Sequence, residues 1–169
     1  MKKYRYFLFF IIFFFLNNSF SFGSGKTAFI DIDVVIKQTN IGKEMLNRVE
    51  KLNNQNIEQL KLKQEELKVF EDQIKKKQNI SSSEEITKEI ELLKKKVKQY
   101  NDEKNILVSK FKNFKQKEIE ILMSKINPII QNHMKENSIE ILLDSKNVFI
   151  GDVNSDLTQI IINKINKIN

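Results

Sequence analysis

The sequence predicts a mainly α-helical protein with a small β-sheet (α+β class), in which a long antiparallel coiled-coil hairpin is inserted into a small base of strands and helix. Two long central segments carry apolar residues at alternating spacings of three and four, the heptad pattern of helices that pack along one seam. A short polar stretch joins them. Segments rich in β-branched residues occur only before and after this region, so the two ends of the chain must meet for the strands to pair.

The second heptad segment has the clearer pattern. Most residues between its seam positions are Lys, Glu, Gln or Asn. The predicted seam positions are Ile86, Ile90, Leu93, Val97, Tyr100, Lys104, Leu107, Phe111, Phe114, Glu118, Ile121 and Lys125. A helix with this pattern packs on one partner along its whole length.

The first heptad segment runs from Leu46 to Ile74 and is weakened by the polar run at residues 53–56. Between the segments, Ser82 followed by Glu85 is a capping-box signature for the start of the second helix. Limbs of roughly forty residues would reach on the order of 60 Å. We therefore predict that residues 46–125 form a protruding arm.

The first residues have the layout of a secretory signal peptide. A basic start precedes an unbroken apolar run from Phe7 to Leu16, and small residues follow at Ser21 and Gly23, the two candidate cleavage sites. The run is shorter than the ~20 apolar residues that span a bilayer comfortably. We predict a cleaved signal over residues 1–23, which would place the rest of the chain outside the cytoplasm. The alternative is an uncleaved N-terminal anchor.

The base is predicted from residues 24–45 and 126–169. Residues 26–32 are typical of a strand, Asp33 can cap a short helix over residues 34–38, and Gly42 interrupts the chain before the first limb. After the arm, residues 139–143 and 148–150 are two β-rich runs joined by a polar turn, which predicts a β-hairpin. Ser155 is the expected cap of a last amphipathic helix.

Such a base is predicted to be only marginally stable as a monomer, because a few short strands and one helix bury little apolar surface and leave open strand edges. Association of several copies through the base would bury more apolar surface and cover the open strand edges. The candidate residues for the oligomer core are Phe29, Ile30, Ile139, Ile141, Leu143, Val148, Ile150, Leu157, Ile160 and Ile161.

Charge is distributed unevenly along the chain. Residues 61–117 contain 16 lysines against 10 acidic residues, whereas residues 24–60 and 118–169 together carry 10 basic and 12 acidic residues. The lysines either solubilise an exposed helix or create a field that attracts acidic proteins or an anionic membrane surface. The candidate lysines for binding such a partner are Lys75, Lys76, Lys77, Lys94, Lys95, Lys96, Lys110, Lys112, Lys115 and Lys117, while Lys104 is left out because it falls on the predicted seam.

Nothing in the composition indicates an enzyme, a cofactor or a metal site. The absence of Cys excludes a disulfide framework and thiolate metal ligands, and His133 is the single histidine, without the partners that catalysis needs. A nucleic-acid binder is disfavoured despite the pI near 9.4, because the chain has only two arginines and its aromatic residues mostly occupy the seam.

Two blocks of the sequence resemble the Skp/OmpH family of periplasmic chaperones. Residues 27–43, TAFIDIDVVIKQTNIGK, are similar to the family's N-terminal motif, and residues 139–165 are similar to its C-terminal block, with Asp156, Leu157 and Thr158 starting the last helix. The resemblance implies a homotrimer whose bases join and whose arms enclose a cavity that holds unfolded outer-membrane proteins without ATP. The polar run at residues 53–56 departs from a strong seam, and no client-contacting residue can be transferred by motif.

The leading hypothesis is therefore an ATP-independent holdase chaperone of the periplasm. The alternative is a structural coiled-coil protein of the cell envelope, anchored by an uncleaved N-terminal segment. The mass of the exported protein would separate the two hypotheses.

Overall fold

The computed structural model describes residues 25–168 and has the predicted mainly helical architecture with a small sheet. The elements in chain order are β1 (Lys26–Ile30), α1 (Ile32–Gln38), α2 (Asn40–Lys77), α3 (Ser83–Glu136), β2 (Ile139–Asp144) and α4 (Thr158–Ile168). Short 3₁₀ turns occupy Ser145–Asn147 and Val153–Ser155. The predicted signal peptide lies outside the described residues.

Helices α2 and α3 form an antiparallel hairpin. The turn between them ends at Ser82, whose Oγ accepts a hydrogen bond from Glu85 N at 3.3 Å, as the capping signature predicts. At ~1.5 Å per residue, the 54 residues of α3 extend about 80 Å. Helix α3 is therefore long enough to form one limb of the arm and also to enter the base.

The predicted seam positions of α3 from Ile86 to Tyr100 are half-buried except for Val97, which is exposed, and the buried stripe departs from the heptad pattern farther toward the base. Lys104 is exposed and the neighbouring Glu103 is half-buried, so the prediction that Lys104 lies on the seam is wrong. Closer to the base, Leu122 is buried where the pattern predicted Ile121. A straight helix falls short of a strict seven-residue repeat by ~20° per heptad, which moves the buried stripe to later positions and accounts for Leu122.

The two strands come from opposite ends of the chain and pair in parallel. Ala28 lies opposite Leu142, and Ile30 lies opposite Asp144. On the other edge of β1, Leu157 N donates to Phe29 O at 2.9 Å, so the segment before α4 covers that edge. The outer edge of β2 has no strand partner within residues 25–168.

The predicted hairpin of residues 139–143 and 148–150 is wrong. Asp144 Oδ1 accepts from Lys146 N at 3.0 Å and turns the chain into a 3₁₀ segment immediately after β2. An ion pair between Lys146 and Asp33 holds this turn against the start of α1. The chain is thereby led away from the outer edge of β2, and residues 148–150 form no strand.

Helix caps in the base differ by one or two positions from those predicted. Asp31, not Asp33, caps α1 through a hydrogen bond from Val34 N at 2.9 Å. Asp156, not Ser155, supports the start of α4: it lies two residues before Thr158, and its Oδ1 accepts from Thr158 N at 2.9 Å. Gly42 lies inside the first turn of α2 instead of interrupting the chain before it.

One apolar core holds the base together. It is built where α1, the start of α2, the end of α3 and α4 pack on the inner face of the sheet. Its fully buried side chains include Val35, Ile126, Ile161 and Ile165. Because α2 and α3 both contribute to this core, the arm is continuous with the base.

Candidate functional site

Three ion pairs join the limbs of the arm at nearly even intervals. Arg48 pairs with Glu118 at 2.6 Å, Lys63 pairs with Glu103, and Lys77 pairs with Glu89 at 2.6 Å. The residue numbers in each pair have the same sum, so the antiparallel register is constant from the root of the arm to its tip. Each exposed pair stabilises the arm little, but charges placed in this pattern disfavour a slipped register.

The tip lysines divide into those with partners inside the chain and those without. Lys75 pairs with Glu71 at 2.8 Å, and this contact raises the pKa of Lys75 and lowers that of Glu71. Lys77 is held by its cross-limb pair, and Lys96 lies 5.7 Å from the centre of the Phe70 ring.

The remaining candidate lysines are exposed and make no ion pair with any residue from 25 to 168: Lys76, Lys94, Lys95, Lys110, Lys112, Lys115 and Lys117. Their charges face solvent and are available to a partner.

Between the limbs, the middle of the arm contains an open groove of about 630 Å³. Leu67, Phe70 and Tyr100 form its floor at the seam, and Leu62 and Val69 form part of its wall. Leu62 is 52% exposed and Val69 is 56% exposed, although both are large apolar side chains. The groove therefore presents apolar surface on the same arm as the unpaired lysines, although none of those lysines lines it.

Further exposed apolar residues lie off the predicted seam: Ile57, Ile80, Leu92, Ile106 and Val108. Sequence reasoning did not identify these positions. The seven-residue interval between Leu62 and Val69, which repeats one heptad position outside the seam, is a signal that could have found the groove wall.

The candidate oligomer residues divide between the interior of the base and its surface. Ile30, Leu157 and Ile161 are buried within the chain's own core. Phe29, Ile139 and Val148 are half-buried. Those that remain exposed are Ile141, Leu143, Ile150 and Ile160.

His133 is buried where the end of α3 packs near α4. Asn137 Nδ2 donates to His133 O at 2.8 Å and lies 3.2 Å from Nδ1 of the ring, so the ring nitrogen accepts in its neutral form. Burial, followed by the charge of Lys164, lowers the pKa of His133, and Glu136 opposes the shift. Lys164 and Glu136 also pair with each other at 2.7 Å. This environment favours a neutral packed side chain.

Residues 25–168 contain no cluster of His, Asp and Glu side chains arranged to hold a metal ion. Within the same range, neither long helix carries an apolar stretch sufficient to cross a membrane.

Comparison with known proteins identifies the family of this sequence and solved structures with a similar fold. The family described as "Outer membrane protein (OmpH-like)" matches residues 26–165. A crystal structure of a chain from Caulobacter crescentus CB15, whose suggested role is that of an OmpH-like outer membrane chaperone, superposes with a TM-score of 0.73 at 14% sequence identity. The match covers 85% of each chain. No curated protein matches the sequence significantly.

Proposed function

Because this chain belongs to the OmpH-like family, we propose that it is an ATP-independent holdase that binds unfolded outer-membrane proteins in the periplasm and prevents their aggregation. The observation that supports this function best is the surface of the arm, which carries an open apolar groove and, at other positions along the same limbs, lysines without internal partners. An unfolded client exposes both acidic and apolar side chains, and this surface offers a contact to each.

The two kinds of contact have different roles. Exposed lysines attract an acidic chain over a Debye length of about 10 Å at 0.1 M salt, and such attraction acts chiefly on the rate of capture. The groove and the other off-seam apolar residues then provide short-range contacts, which slow the dissociation of the client. The same lysines would also attract an anionic membrane surface.

We further propose a homotrimer that joins through the base, with residues 46–125 of each copy as an arm. The open outer edge of β2 and the exposed Ile141 and Leu143 support association at this end of the chain. Residues 1–23 are proposed to be a signal peptide that is removed on export, which the mass of the mature protein would test.

The function is tested by reversing charge at the tip without disturbing an internal ion pair. In the triple variant Lys76→Glu, Lys94→Glu and Lys95→Glu, we expect capture of an unfolded outer-membrane barrel to be slower at low salt. The readouts are the capture rate by stopped flow and the suppression of client aggregation by light scattering. Raising the salt concentration should slow client capture by the parent protein and largely remove the difference in capture rate between parent and variant.

The matched control reverses three exposed lysines at the root of the arm, outside the basic stretch: Lys43→Glu, Lys51→Glu and Lys125→Glu. It changes the net charge equally and should capture the client at nearly the parent rate. If the tip variant prevents aggregation at low salt as well as the parent does, the lysines only solubilise the arm. If the parent does not prevent aggregation at all, the proposed holdase function is wrong.

A further inference from the structure

Phe149 and Ile150 project from the base with almost no contact to their own chain. Phe149 is 98% exposed and Ile150 is 84% exposed. Apolar side chains grouped in this way mark a contact surface, since a buried aromatic residue covers about 150–250 Å². The structure does not pack these two residues against any part of the described chain.

The segment that carries them is held between two capped turns. Before it, Val148 N donates to Ser145 O at 3.1 Å. After it, Asp152 Oδ1 accepts from Asn154 N at 2.9 Å. Between the turns, the backbone at Gly151 approaches the Phe29 ring so closely that a Cβ would lie 2.7 Å from it. Phe149 and Ile150 are thus presented from a positioned segment, which lowers the entropy lost on binding.

An apolar pocket of about 380 Å³ lies elsewhere on the base, between the carboxyl ends of the two strands and α3. Its apolar lining is Ile30, Ile32, Met123, Ile130, Leu142 and Leu143. Asn127, Gln131 and Asp144 give it a polar rim. The volume falls at the lower end of the roughly 300–1,000 Å³ of small-molecule pockets, which suits one or two apolar side chains.

We infer that Phe149 and Ile150 of one copy fill this pocket in the next copy. No residue of 148–153 lines the pocket of its own chain, so the projection and the pocket are separate surfaces, and a second copy can supply the projection that the first copy's pocket lacks. A projection on one surface and a pocket on another give a head-to-tail contact, which closes into a ring when the rotation allows. The inference rests on the proposed homotrimer and identifies the residues that join its copies.

Two variants test the contact from its two sides. The double variant Phe149→Ser, Ile150→Ser removes the projection. Both side chains are almost fully exposed in the single chain, so their loss should not disturb its folding. Asn127→Trp covers the pocket from an exposed position on its rim. We expect each variant alone to associate on the order of 100-fold or more weakly than the parent in sedimentation equilibrium. Ile80→Ser, an equally exposed apolar position at the arm tip, should associate like the parent.

Mixing the two variants distinguishes a head-to-tail contact from a symmetric one. The variant without the projection keeps a free pocket, and the variant with the covered pocket keeps a projection, so together they should form a 1:1 heterodimer that cannot close into a ring. A mixture that stays monomeric overturns the inference, as does an unchanged oligomer in the Phe149 variant. If that variant still assembles and still prevents client aggregation, the proposed function stands and only the assignment of the contact fails.

Discussion

Replacing Gly42 with alanine tests how closely α1 and α2 pack where the arm begins. A Cβ at this position would lie 1.9 Å from the backbone oxygen of Ile36 and 2.7 Å from Thr39 Oγ1. The Ile36 carbonyl would have to move by more than about 1 Å to reach even a tight contact of 3.0 Å. Thr39 is fully buried and its hydroxyl accepts from Gly42 N at 3.3 Å, so this side of the junction has little room to yield.

The expected loss can be set against the helix preference of alanine. Overpacking of this kind costs about 1–3 kcal/mol, and a weakened N-cap costs about 1 kcal/mol more. The higher helix propensity of alanine compared with glycine offsets this loss by about 1 kcal/mol. We therefore expect Gly42→Ala to lower the free energy of unfolding by roughly 1–3 kcal/mol, a large share of the ~5–15 kcal/mol typical of a folded protein.

The measurement is urea unfolding followed by far-ultraviolet circular dichroism at one fixed protein concentration, because association contributes to the apparent stability. Hydrogen exchange of amides in β1 and α4 would report the base separately from the arm. Lys43→Ala, at the next and exposed position, should change stability little. If Gly42→Ala is as stable as the parent, the junction is not packed as described and the steric argument is refuted.

Two further predictions concern His133 and the arm seam. Burial lowers the pKa of His133 in the folded state. The stabilisation from neutral His133 is therefore fully present above the pKa of an unfolded histidine, near 6.5, and is lost as the pH falls below that value. His133→Gln should flatten the stability profile between about pH 7 and 5, and equal profiles would contradict this prediction. Asn56→Leu should raise the melting temperature of the arm by adding apolar contact at a half-buried seam position. Asn54→Leu, exposed on the same helix, is the matched control, and an equal rise there would mean that helix propensity alone is responsible.

The arm was predictable because its signal repeats over many residues. Alternating spacings of three and four along both limbs indicate two helices, and the polar turn with Ser82 fixes their connection. The exact buried stripe was less predictable. A seven-residue repeat treats Lys104 and Ile121 as seam positions, whereas Glu103 is half-buried and Leu122 is buried. A straight helix turns by slightly less per residue than an exact seven-residue repeat requires, so its buried stripe shifts to later positions such as Leu122.

The sheet was predictable in its segments but not in its pairing. Residues 148–150 have the β-branched and aromatic composition of a strand, yet β-propensity specifies no partner. The side chain of Asp144 turns the chain into a 3₁₀ segment, and β1 pairs with β2 from the far end of the sequence. The hairpin does not form because a local turn ends β2 at Asp144 and because β2 pairs with a strand from the other end of the chain.

The basic character of the candidate site could be predicted by counting residues, but the state of each lysine could not. Whether Lys75, Lys77 or Lys96 has a partner depends on residues that the fold brings near, such as Glu71, Glu89 and Phe70. The groove was missed for a similar reason, because it forms only when the two limbs lie side by side in one register.

The parallel pairing of β1 with β2 also determines the order in which the molecule can fold. In an open chain, pairing Lys26 with Ile139 would close a loop of about 113 residues, and entropy opposes a contact between positions so far apart. Once α2 and α3 have formed their hairpin, the start of α2 and the end of α3 lie together and only short connections separate them from the strands. We therefore expect the arm to fold first and the sheet to form as the late step. A variant with a weakened seam would acquire its base slowly, even if the finished molecule were as stable as the parent.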